Sequence, residues 1–191
     1  MTGPQLTFRR FTVGYYPING FLLADPDGVG IFIDPGGFEP AIARFIEQHA
    51  IQLKAIFITH GHRDHIEGLG PMKDRYNATC YAPEGEVDQA DHTLHGGEQL
   101  EVGSLRFATF STPGHSRQAI AYYCPPRLFP GDALFCGSVG GTSTPRDAKL
   151  QIDRVREHLF SLPDETEVYP AHGPMTTLAA EKYANPFFLT P

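Results

Sequence analysis

Four residues of metal-ligating type fall within six positions in Thr59-His60-Gly61-His62-Arg63-Asp64-His65. Imidazole nitrogens and carboxylate oxygens bind zinc, iron and manganese. The segment follows Leu53 to Ile58, a nearly continuous apolar run that reads as a buried strand. Side chains two apart in extended backbone point the same way, so His60 and His62 can reach one ion. Asp64 and His65 come where the loop turns and can face a second ion beside the first. A polar loop whose histidines cluster by accident is the bland alternative. Three of the nine histidines within six positions argue against it.

Further residues of the same kind follow later strands. His115 stands in Thr112-Pro113-Gly114-His115-Ser116 after the strand Leu105 to Phe110. Asp132 stands in Pro130-Gly131-Asp132-Ala133 after Arg127 to Phe129, and His172 in Tyr169-Pro170-Ala171-His172-Gly173 after Val168 to Tyr169. Each has an ordinary alternative, a turn aspartate or a satisfied histidine. The repeated context, strand end into a Gly- or Pro-containing turn, is that of active-site loops on one edge of a rigid sheet.

The elements that must position these residues are legible as patterns. Leu6 to Val13 and Asn19 to Ala24 read as strands, and Val29 to Ile33 pairs with the latter across the turn Asp25-Pro26-Asp27-Gly28. Ile42, Phe45 and Ile46 give Phe38 to His49 helical spacing. A short helix is expected over Glu67 to Tyr76, strands over Ala78 to Tyr81 and Ile120 to Tyr123, and an irregular loop from Ala82 to Gly97. Ile152, Val155, Leu159 and Leu162 form a helical stripe opened by Thr144 as N-cap and Pro145 in the first turn. Val168 to Tyr169 is expected to be the last strand and Thr177 to Tyr183 the last helix. Strands followed by a helix, twice over, imply two sheets packed face to face with helices outside.

Composition sets limits. The 191 residues fit one domain, with 41% hydrophobic and 19% charged residues, a globular balance. The net charge of −7 and scattered basic residues argue against nucleic acid as a partner. Cys80, Cys124 and Cys136 form no Cys-x-x-Cys pair, so neither a disulfide framework nor a thiolate zinc site is expected. Met1 to Arg10 does not read as a signal peptide, and no apolar run reaches transmembrane length. A cytoplasmic protein with no membrane partner is the expectation.

The chain resembles the metallo-β-lactamase superfamily in its glyoxalase II-like (hydroxyacylglutathione hydrolase-like) small bacterial branch. The resemblance runs from Asn19-Gly20-Phe21-Leu22-Leu23 and Ile33-Asp34-Pro35-Gly36 through the histidine segment and Thr112-Pro113-Gly114-His115-Ser116. It continues in Gly131-Asp132-Ala133-Leu134-Phe135 and closes on Glu181-Lys182-Tyr183-Ala184-Asn185-Pro186-Phe187. It implies an α+β fold, a four-layer αββα sandwich of two mixed β-sheets with outer helices. It also implies one domain over 1–191, without the C-terminal helical region that supplies much of the glutathione site in full-length members. Gly140-Gly141-Thr142-Ser143 stands where the branch often has Gly-Arg-Thr-Asp.

By that resemblance His60, His62 and His115 hold metal one, and Asp64, His65 and His172 hold metal two. Asp132 bridges them, with a water or hydroxide as the second bridge. The cofactors are two divalent ions, zinc first, with iron or manganese as alternatives. Two carboxylates and a hydroxide leave such a site electrophilic, as a Lewis acid must be. Asp64 and Asp132 are the carboxylates assigned to catalysis. The implied activity is hydrolysis of a small acyl thioester such as S-lactoylglutathione. The alternatives are a persulfide dioxygenase with one iron on His60 or a neighbour, His115 and Asp132, and a non-catalytic metal-binding or sensor protein.

Other residues carry weaker expectations. Asp34 is read evenly as a support for a metal-binding histidine or as a simple turn former. Thr59 reads as a strand-end residue. His49, His92, His95 and His158 are read as solvent-facing or structural, and Cys136 as a small buried residue. Tyr15, Tyr16 and Arg146 are candidates for the substrate cleft.

Overall fold

The computed structural model describes residues 6–189, so residues 1–5 of the segment read for a leader lie outside the described residues. The first sheet is built from β1 (Thr7–Val13), β2 (Ile18–Ala24), β3 (Val29–Ile33), β4 (Gln52–Phe57), β5 (Thr79–Pro83) and β6 (His92–Leu94), in that spatial order. β1 to β3 form an antiparallel meander, and β3 to β6 run parallel. The second sheet has the order β12 (Thr176–Thr177), β11 (Glu167–Val168), β10 (Arg127–Phe129), β9 (Ile120–Cys124), β8 (Leu105–Ser111) and β7 (Gln99–Val102). Its pairs are antiparallel except β10 with β11. Both sheets are therefore mixed.

Alternation along the strands explains the layering. Phe21, Leu23, Ile31, Ile33, Ala55 and Phe57 point inward and meet Phe107, Ile120, Tyr122 and Phe129 of the second sheet. Phe57 lies 5.0 Å from both Phe107 and Tyr122, ring to ring. The intervening residues Leu22, Phe32 and Ile56 face the other way. They are covered by α1 (Pro40–Gln48) and α3 (Leu69–Tyr76) through Ile42, Ile46, Leu69 and Met72. Strands buried on both faces read as continuous apolar runs. On the far side, Ala121, Leu128 and Val168 are covered by Val155, Leu159 and Leu178. These belong to the wide helical turn Val155–Leu159, which prolongs α4 (Pro145–Arg154), and to α5 (Leu178–Ala184). The architecture is the αββα sandwich. No helix among the described residues is long and apolar enough to cross a membrane.

Some local expectations change. The stretch from 82 to 97 is not wholly irregular, because β6 adds to the edge of the first sheet beside β5. β7 and β12 were also not expected. They are edge strands of four and two residues: β7 alternates, with Leu100 and Val102 packed on the core, but in a run too short to stand out, and β12 is defined by its pairing with β11. The histidine segment contains one helical turn, α2 (Arg63–Ile66). Cys136 is exposed, not buried, because it sits in the turn closed by Phe135 and Ser138.

Candidate metal centre

Every residue expected to ligate a metal lies just beyond a strand, at one edge of the sandwich. His60 and His62 follow β4, with His62 capping α2, and α2 carries Asp64 and His65. His115 lies between β8 and β9, Asp132 after β10, and His172 after β11. Three overlapping groups have ligand atoms within 4.8 Å of one another: His60, His62 and His115; His60, His65 and Asp132; and Asp64, His65 and His172.

Asp132 stands between the two histidine sets. Its Oδ2 lies 3.4 Å from His115 Nε2, while Oδ1 lies 3.5 Å from His65 Nε2 and 3.8 Å from His172 Nε2. Asp64 Oδ2 lies 3.3 Å from His172 Nε2. His62 turns Nδ1 inward, 2.9 Å from His115 Nε2. His60 Nε2, His65 Nε2 and Asp132 Oδ1 are buried without a hydrogen-bond partner. Buried polar atoms are normally satisfied, so three convergent lone-pair atoms without a protein donor fit a cation.

The outward-facing ring nitrogens are held by the protein. His65 Nδ1–H donates to Asp34 Oδ2 at 3.0 Å, and Thr59 donates to the same carboxylate from its hydroxyl at 2.7 Å and its amide at 2.8 Å. His60 Nδ1 lies 3.2 Å from Thr59 Oγ1. His115 Nδ1–H donates to Gly141 O at 2.7 Å, and His172 Nδ1–H to Pro17 O at 3.0 Å. A proton held at Nδ1 leaves the lone pair at Nε2, which is how outer partners prepare metal-binding histidines. Thr59 is therefore more than a strand end. Asp34 serves both as a support for His65 and as part of its turn.

Electrostatics follow from this packing. Burial first, and then the neighbouring imidazoles, hold His60 well below the usual histidine range. Burial and His115 lower His62 in the same way. His65 is as buried, but the carboxylates of Asp34 and Asp132 outweigh burial and raise its pKa to about 10. Burial pushes Asp132 upward, yet His65, His172 and His115 more than offset that and keep it below the usual carboxylate value.

Several supporting residues were not anticipated. Buried Gln151 donates to Ala133 O and Gly140 O, both at 3.2 Å, and braces the turn that carries Asp132. It shares the helix face of Val155 and Leu159, so a polar residue on an apolar stripe was the available signal. Asn19 of β2 donates to Pro170 O at 3.0 Å and Gly173 O at 2.9 Å, clamping the His172 loop. Gly131 has φ +57, and a Cβ there would lie 2.5 Å from Thr59 Oγ1, so glycine is required where this turn passes the His60 strand end.

Two cavities flank the centre. One of about 370 Å³ lies against Asp64 and is lined by Tyr15, Tyr16, Arg63 and Glu67. An open cleft of about 570 Å³ lies against His62 and is lined by Glu84, Glu86, Ser116 and Arg117. Arg146 lines neither cavity and is exposed on α4, because the first turn of that helix projects into solvent. The remaining histidines stay apart from the ligand groups. His49 donates to Phe45 O, His158 pairs with Ser111 O, His92 stacks on Tyr81, and His95 lies beside Glu84.

Residues 13–90 match the family model described as the metallo-beta-lactamase superfamily. The probable metallo-hydrolase YqgX of Bacillus subtilis (strain 168) is 30% identical over 206 residues, covering 95% of this chain and 97% of that relative. The hydroxyacylglutathione hydrolase of Serratia proteamaculans (strain 568) is 33% identical over 170 residues. That match covers 86% of this chain but only 64% of that enzyme's length. Among solved structures, BLEG-1 B3 metallo-beta-lactamase has a TM-score of 0.90 at 29% identity, covering 96% of this chain and 100% of that one. ETHE1 from Myxococcus xanthus has a TM-score of 0.85 at 32% identity, covering 94% and 83%. TTHA1623 in a di-iron-bound form has a TM-score of 0.82 at 30% identity, covering 94% and 99%.

Proposed function

The chain belongs to the metallo-β-lactamase superfamily, and from that premise we propose that it is a dinuclear metallohydrolase that cleaves a small acyl thioester such as S-lactoylglutathione. One observation carries the reading. Asp132 directs its two oxygens to opposite histidine sets, as a carboxylate shared by two ions would. His60, His62 and His115 would hold one ion, and Asp64, His65 and His172 the other. Two divalent ions bound there would act as Lewis acids on an acyl carbonyl and on a water.

The chain's own residues define the rest. Asp34, Thr59 and the carbonyls of Gly141 and Pro17 hold Nδ1 protons outward, so the ligand nitrogens cannot rotate away. Tyr15 and Tyr16 shape an aromatic wall where a substrate enters beside Asp64. A thiolate leaves without a proton from a strong acid, which suits a centre whose carboxylates are committed to the ligand sets. The proposal extends to the domain plan: residues 1–191 make up one metallo-β-lactamase-like domain.

The test is thioester hydrolysis by metal-loaded protein and by Asp132→Ala, with a chromogenic β-lactam as comparison substrate. Loss of thioesterase activity in the variant is expected. Equal rates in the two proteins, or turnover of the β-lactam alone, would overturn the reading.

The likeness to ETHE1 favours a second reading, a mononuclear-iron persulfide dioxygenase using His60 or a neighbour, His115 and Asp132. That reading leaves Asp64, His65 and His172, an equally compact group, without a task. Iron at one ion per chain, with oxygen consumption on glutathione persulfide, would establish it over the hydrolase.

A further inference from the structure

We infer that Glu86 is a positioning residue for the first ligand set, acting through two backbone amides and not through an ion or the substrate. The inference rests on the two-ion reading above. Glu86 Oε2 accepts a hydrogen bond from Gly61 N–H at 2.8 Å, and Oε1 accepts one from Gln118 N–H at 2.6 Å. Gly61 is the residue between His60 and His62, and Gln118 is three residues past His115. One carboxylate therefore ties together the two loops that carry the three histidines of this set. Those loops leave different sheets, the first after β4 and the second between β8 and β9.

The clamp is anchored from a third place. Glu86 lies in the turn after β5, with its own amide directed to Pro83 O at 3.3 Å and Val87 buried behind it. The Gly61 backbone runs against this turn so closely that a Cβ at 61 would lie 2.2 Å from Glu86 O. On the strand side, the same two loops are joined by Ile120 N–H donating to Thr59 O at 2.8 Å. Glu86 supplies the link on the cleft side, beside His62. The second set is oriented by other groups, Asp34 at His65 and Pro17 O at His172. Ion–ligand distances tolerate only about 0.2 Å of error, so the spacing between these two loops bears directly on affinity. Amides held by an ionised acceptor are held more firmly than by a neutral one.

The experiment is titration of the metal-free full chain with Co(II), followed by absorption and calorimetry. It compares wild type, Glu86→Ala, Glu86→Gln and His62→Ala, the last identifying which step belongs to the first set. Wild type is expected to bind two ions. Glu86→Ala should weaken the first-set step by about 10- to 100-fold, the range for loss of an outer partner. The second step should stay unchanged. Glu86→Gln should fall between, because its amide oxygen keeps one acceptor. If Glu86→Ala does not fold, Glu86→Gln decides by the same criterion. Two unchanged steps in the variants would overturn the clamp. Equal weakening of both steps, with a lower unfolding temperature of the metal-free protein, would reduce Glu86 to a structural residue and also overturn it. A wild type that binds fewer than two ions would overturn the two-ion reading first.

Discussion

The Asp34 carboxylate meets the His65 imidazole at 3.0 Å in a fully buried pair, and the same carboxylate receives both the hydroxyl and the amide of Thr59. Asp34 adopts φ +50, a conformation that asparagine tolerates better than most residues. Asp34→Asn therefore preserves the backbone but changes the chemistry. With its oxygen kept on the Thr59 amide, the new side-chain NH₂ faces His65 Nδ1 and favours the tautomer protonated at Nε2. That proton occupies the position an ion needs. The expected outcome is a roughly 10- to 100-fold loss of affinity at the Asp64, His65 and His172 set, measured by metal titration. Unchanged affinity would mean that Asp34 only shapes the turn.

Metal removal should change stability as well as activity. His60 Nε2, His65 Nε2 and Asp132 Oδ1 have no protein partner, so the folded chain gains from a cation that the unfolded chain binds poorly. Free ion at 1,000 times its dissociation constant stabilises the native state by about 4 kcal/mol per site. For a chain of this size that corresponds to a rise of roughly 10 °C in unfolding temperature. Thermal scans of chelator-treated and zinc-reloaded protein measure it. A shift that persists in Asp132→Ala and His65→Ala would place the effect outside this centre.

The sequence made the candidate ligands legible because their chemistry is local. His60, His62, Asp64 and His65 share one short segment, and His115, Asp132 and His172 each sit in a strand-end turn. The central strands were legible because β3 and the second halves of β2 and β4, Phe21 to Ala24 and Ala55 to Phe57, are apolar on both faces. The edge strands were not. β7 alternates exposed Gln99 and Glu101 with core-packed Leu100 and Val102, but four residues are too short a run to mark a strand without its pairing to β8. The supporting residues were mostly missed for a similar reason. Glu86 reaches Gly61 and Gln118 across long separations that leave no periodic trace, and Gln151 shows only as a polar residue on an apolar stripe, with nothing to name Ala133 as its partner.

Tyr122 crosses the core and donates its hydroxyl to Ile58 O at 2.8 Å, one residue before Thr59. Tyr122→Phe retains the ring packed on Phe57 but leaves that buried carbonyl unpaired. A buried unsatisfied group costs about 1–3 kcal/mol. Urea unfolding should show a lower midpoint at an unchanged slope. A loss below the error of the fit would mean that water reaches the carbonyl.

Asp25 links the sheets away from the centre. Its Oδ1 accepts the amides of Asp27 at 3.0 Å and Val29 at 2.9 Å, and its Oδ2 accepts the amide of Ser104 at 2.8 Å. Burial opposes its charge, but these hydrogen bonds outweigh burial and lower its pKa from 3.8. A carboxylate whose folded pKa is depressed stabilises the fold above its unfolded pKa and loses that contribution as pH falls through the folded value. Asp25→Asn has no charge to lose. The stability difference between wild type and Asp25→Asn should therefore be full at pH 7, begin to close near pH 4, and narrow further at lower pH. Urea unfolding of both proteins, metal-free, at a series of pH values reads this difference. A gap that stays constant down to pH 3 would show that the hydrogen bonds depend on shape and not on charge.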